Sequence, residues 1–103
     1  MNSDISILYR FRTSIEILAT ESGDVRSRLQ TIVPILICIQ SYELPSQFQK
    51  SWSSLFDVIF KVNNNQDSTS YLKRIKNSTG KKIARLIYDI WLDLEKQNLS
   101  LMK

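Results

Sequence analysis

Residues 72–94 read LKRIKNSTGKKIARLIYDIWLDL. Within them Leu72, Ile75, Thr79, Ile83, Leu86, Ile90 and Leu94 follow one another at intervals of 3, 4, 4, 3, 4 and 4 residues. That spacing puts side chains on one face of an α-helix. The phase runs on through Asn77-Ser78-Thr79-Gly80, four residues that locally resemble a helix break. Two helices joined by a turn would have no reason to share a phase. The spacing therefore predicts one long helix over about residues 69–97, with a weak point at Gly80 costing about 1 kcal/mol relative to alanine. The tail beyond it, residues 98–103, is expected to fray.

Upstream, residues 63–68 (NNNQDS) are polar throughout and read as a flexible connector. Leu44-Pro45-Ser46 reads as a helix start, since proline is favoured in the first turn. Phe48, Trp52, Leu55, Phe56, Ile59 and Val62 then form a wide apolar stripe. A second helix is expected over about residues 24–41, carrying Val25, Leu29, Ile32, Val33, Leu36 and Ile39, with a kink near Pro34, which cannot donate to the preceding turn. Residues 32–39 are apolar on all sides and mark this helix as the most buried. Ser3 or Asp4 can cap a first helix on which Ile5, Leu8, Phe11 or Arg12, Ile15 and Leu18 recur, and Gly23 closes it. The expected fold is all-α: a small antiparallel four-helix bundle forming one domain over residues 1–103. The composition agrees, because two Gly and two Pro are too few for a sheet protein with many tight turns.

Several function classes are excluded by absent residue types. The chain has no histidine, the commonest general base and metal ligand. Cys38 is the sole cysteine, so neither an internal disulfide nor a cysteine–histidine zinc site can form within the chain. Its apolar surroundings in sequence make it a small core hydrophobe. Asp89 and Asp93 lie four apart and could share a proton or cation, but Arg85 one turn away neutralises Asp89. Gly80-Lys81-Lys82 fails the phosphate-loop pattern, which needs glycine at Ile75 and Ser or Thr at Lys82. No cofactor, no metal and no enzymatic activity are expected. The longest apolar run is eight residues and contains Pro34, well short of the ~20 needed to cross a bilayer. No membrane association is expected, and the lone thiol favours a cytoplasmic location. The two sequons at Asn77 and Asn98 are then chance matches.

What remains is charge. Lys73, Arg74, Lys76, Lys81, Lys82 and Arg85 fall within thirteen residues without an acid, while residues 1–50 carry five bases and five acids; the chain's net charge is +4. On a helix at about 100° per residue, Lys73, Arg74, Lys81 and Arg85 lie opposite the apolar stripe with Asn77 and Tyr88 among them. Trp91 continues the edge of that surface. Asn77, Gly80 and Ala84 add a strip of small side chains that a partner helix could approach closely. The first functional expectation is therefore a non-enzymatic protein-interaction module, working through Lys73, Arg74, Asn77, Lys81, Arg85, Tyr88 and Trp91. Its partner would be a protein with an acidic surface, or a second copy of the chain. Thirteen Ile against two Ala suggest an AT-rich microbial gene, a setting in which small helical proteins serve as inhibitors, immunity proteins or defence accessories. The alternative is a nucleic-acid-binding accessory protein using the same cations on phosphates and the same rings for stacking. A helix break at Asn77 would add free backbone amides to that anion-binding surface. Arg26 and Arg28 form a secondary candidate group. Because they sit at a helix N-terminus, where cations oppose the dipole, pairing with nearby acids is the favoured explanation for them.

Overall fold

The computed structural model describes residues 3–60, 72 and 74–101; the connector expected over 63–68 and the candidate Lys73 lie outside the described residues. Among those residues the chain is built from helices and contains no strand. Helix α1 spans Ser3–Thr20, α2 Val25–Leu36, α3 Ser46–Phe60 and α4 Asn77–Leu101, and a 3₁₀ turn, Ser41–Glu43, precedes α3. The all-α bundle expected from the sequence is the fold observed.

Helices α1, α2 and α4 pack against one another. Ile7, Leu8, Phe11, Leu29, Ile32, Leu36, Ile83, Ile87 and Ile90 fill the space between them. Phe11 is fully buried and Arg12 is exposed, which settles the phase of α1. Helix α3 joins the core through Trp52, which is 1% exposed. Its ring lies 5.7 Å from that of Phe11, and its indole N–H donates to the Ile39 carbonyl at 3.0 Å.

Gly23 takes φ +96°, a left-handed conformation that a side chain would strain, and so turns the chain out of α1. Asp24 then caps α2, its carboxylate accepting from the Ser27 amide at 3.1 Å. Three arginines act as crosslinks onto carbonyls near helix ends. Arg10 donates to the Ile35 carbonyl at 2.8 Å, Arg28 to that of Leu18, and Arg26 to that of Ile75 at 3.2 Å. These carbonyls lack amide partners further along their helices, and charged donors satisfy them well.

Four sequence expectations are corrected. Helix α2 does not reach residue 41. It continues through Val33 and Pro34 but ends at Leu36, where the Ile39 amide bonds the Leu36 carbonyl at 3.1 Å in place of the Ile35 carbonyl, which Arg10 takes. The chain past that end turns, so that Ile39 points inward while Ile37, at 44%, and Cys38 are exposed. The run over residues 32–39 is thus not buried on all sides, and Cys38 is not a core residue.

The single helix over 69–97 is interrupted. Leu72 and Arg74 are helical, Ile75 bends, and α4 starts afresh at Asn77. The inward line is Gly80, Ile83, Ile87, Ile90 and Leu94, with Gly80 and Ile87 in the places expected for Thr79 and Leu86, which sit half-exposed beside it. Close approach to α2 requires this register. A Cβ on Gly80 would stand 2.9 Å from Val25 Cγ1 and 3.4 Å from Arg26 Cγ, so a larger residue there requires Val25 or the helix packing to shift. Helix α4 runs on to Leu101.

Candidate basic and aromatic surface on helix α4

The break places the positive end of a 25-residue helix inside the basic stretch. Lys76 stands at the cap position, its carbonyl accepting from the Gly80 amide at 3.0 Å. A lysine side chain has no acceptor with which to cap the amides of the first turn, and no acid occupies that turn. Arg74, Lys76, Asn77, Lys81, Lys82 and Arg85 are all exposed. Among the described residues Lys76, Lys81 and Lys82 have no ion-pair partner. The acids of α4, Asp89, Asp93 and Glu95, lie from its midpoint onward. A cation at the cap position and no acid in the first turn leave the positive end of the helix dipole uncompensated there.

Beyond the cations the surface becomes aromatic. Arg85 bonds Asp89 at 3.1 Å, the neutralisation expected from their spacing, and its guanidinium lies 5.5 Å from the centre of the Tyr88 ring. Tyr88 and Trp91 sit 5.7 Å apart with their planes tilted by 44°. Trp91 is half-buried and donates its indole N–H to Glu95 Oε2 at 2.9 Å. Glu95 is in turn held by Arg12 of α1 through two bonds, 2.7 and 2.9 Å long. Arg12 itself lies 5.6 Å from the centre of the Tyr9 ring, and Tyr9 is 60% exposed.

Of the residues proposed from sequence, the described part of the structure brings Lys81, Arg85, Tyr88 and Trp91 onto one continuous surface. Arg74 and Asn77 lie at its start. Tyr9, Arg12 and Glu95 complete it and were not expected. Glu95 stands four residues after Trp91, a spacing visible in the sequence; Arg12 is 83 residues away and carries no local signal. The small-residue strip is not open. Gly80 is buried against Val25 and Arg26, and Ala84 packs against the core. The secondary pair is engaged within the fold: Arg26 bonds Asp24 Oδ2 at 2.8 Å besides the Ile75 carbonyl, and Arg28 bonds the Leu18 and Asp24 carbonyls.

Electrostatics make the α1–α4 link pH-sensitive. The Arg12 guanidinium, helped by the Trp91 N–H, holds the Glu95 carboxyl below its ordinary value of 4.5. Arg26 and the Ser27 amide do the same for Asp24. A carboxylate with a depressed folded-state pKa stabilises the fold above its unfolded value, and that contribution fades as pH falls through the folded value. Melting temperature should therefore fall as pH drops below about 4.5. The fall should be shallower in Glu95→Gln, which can be read from thermal scans of both proteins across the acid range.

Among the described residues no three potential metal-ligating side chains cluster, and no helix is long and apolar enough to cross a membrane. No family model, curated protein or solved structure matches the chain.

Proposed function

We propose that the chain is a non-enzymatic nucleic-acid-binding accessory module of the cytoplasm, gripping phosphates with the cations around the start of α4. The observation that carries this reading is the restart of the helix at Asn77. It gathers Lys76, Lys81 and Lys82 around a helix N-terminus with no acid in its first turn. An anion there satisfies both the cations and the helix dipole. Closure of the Gly80 strip by α2 removes the groove that made a partner helix attractive. The secondary candidates Arg26 and Arg28, bonded within the fold, take no part in the proposed contact.

Phosphate binding is recognised by its salt dependence. If Lys76, Lys81, Lys82 and Arg85 each hold one phosphate, the slope of log K against log [salt] is roughly −3 to −4. Mobility-shift or anisotropy titrations of a labelled oligonucleotide at several salt concentrations measure that slope. Absence of any complex at low salt would refute the reading.

A second reading is a protein partner with an acidic surface, or a second copy of the chain, anchored by Arg85, Tyr88 and Trp91. It is favoured by the packing of Tyr88 on Trp91 at an exposed site, since aromatic residues and arginine carry much of the energy of protein interfaces. A co-purifying protein whose binding is lost in Tyr88→Ala, without any oligonucleotide binding, is the outcome that selects it.

A further inference from the structure

Two arginine-on-tyrosine pairs flank the outer edge between α1 and α4: Arg12 with Tyr9, and Arg85 with Tyr88. They are joined through Trp91, whose ring packs on Tyr88 and whose N–H bonds Glu95, and through the two bonds from Arg12 to Glu95. The result is a connected surface of planar groups, with Tyr9 60% and Tyr88 38% exposed. Neither tyrosine is a core residue of its helix, and both are held by cations rather than by apolar neighbours alone. The surface adjoins the free cations Lys81 and Lys82 one to two turns earlier on α4.

We infer that this surface is a stacking platform and that the ligand is single-stranded nucleic acid. Its phosphates would lie on the basic first turns of α4, and unpaired bases on the Arg85–Tyr88 and Arg12–Tyr9 planes. The inference rests on the phosphate-binding reading above and adds the class of strand. Flat rings and guanidinium groups beside cations are what single strands use, because each unpaired base exposes a face that a duplex hides between neighbouring pairs. Charge argues in the same direction. Asp89, Asp93 and Glu95 lie from the midpoint of α4 onward, so a duplex laid along the helix would bring phosphates against carboxylates. A single strand can place phosphates on the basic half and turn its bases toward the aromatic half.

The test compares an oligothymidylate of about 16 nucleotides with a duplex of the same length, titrated into the full chain under one salt condition. Tryptophan emission reports the site directly, since Trp52 is buried at 1% exposure and Trp91 is half-exposed. The strand is expected to bind at least about tenfold more tightly than the duplex and to quench emission, a change absent in Trp91→Phe. Tyr88→Ala, checked for an unchanged circular dichroism spectrum, is expected to weaken the strand roughly tenfold and leave the duplex alone. Equal affinity for strand and duplex, with Tyr88→Ala without effect, overturns the stacking inference and leaves phosphate binding standing. Failure to bind either ligand overturns both.

Discussion

Trp52→Ala should lower the unfolding free energy by roughly 3–5 kcal/mol, toward the upper end of what removal of a core aromatic costs. Two losses combine at this position. The ring that packs at 5.7 Å on fully buried Phe11 disappears, and with it a direct link between α3 and the core. The Ile39 carbonyl also loses its donor at 3.0 Å, and a buried acceptor left without a partner adds about 1–3 kcal/mol. Total stability of a domain this size is about 5–15 kcal/mol, so the variant should be close to unfolded at moderate urea. Urea titrations followed by circular dichroism read the shift in midpoint. Trp52→Phe separates the two causes, because it retains most of the volume and removes only the donor. A change below about 1 kcal/mol for the alanine variant would mean that α3 does not depend on this contact.

The helical nature of every segment is legible in the sequence, because apolar spacing survives in each. Ile7, Leu8 and Phe11 fall near one side of α1, and Val25, Leu29, Ile32 and Leu36 on one side of α2. Helix ends are less legible. Asp24 announces itself as a cap, since its carboxylate acts on residues next to it. At the end of α2 the Ile35 carbonyl is taken by Arg10, 25 residues earlier, a contact with no local signal. The exposure of Cys38 follows from that end, so a run of apolar letters misleads about where a thiol lies.

The break before Asn77 shows why an unbroken phase is weak proof of an unbroken helix. Ile83, Ile90 and Leu94 belong to both possible stripes. The choice between Leu86 and Ile87, both apolar, decides the register, and glycine at position 80 leaves no hydrophobic mark although it is the closest point of contact with α2. What settles the matter is tertiary: Val25 and Arg26 crowd the place a Cβ at position 80 would take, and Arg26 holds the Ile75 carbonyl. For the surface, the cations and aromatics of α4 are legible because they are close in sequence. The contribution of Tyr9 and Arg12 is not, since only packing of α1 against α4 brings it there.

The proposed function requires that the cations at the start of α4 serve a ligand and not the fold. Replacing Lys76 by Asp and Lys81 and Lys82 by Glu separates the two roles by sign. Aspartate at the cap position can accept from first-turn amides where lysine cannot, a change worth about 1 kcal/mol, and the acids favour the dipole by a few tenths more. Loss of three phosphate contacts, with repulsion in their place, should flatten the salt slope to about −1 or less and weaken binding by roughly a hundredfold or more at low salt. The decisive measurement is oligonucleotide affinity against salt for wild type and for K76D/K81E/K82E, with urea midpoints taken on the same preparations. The expected result is a variant at least as stable as wild type that no longer binds. A variant that binds as well as wild type, or one that loses binding only because it has unfolded, would contradict it.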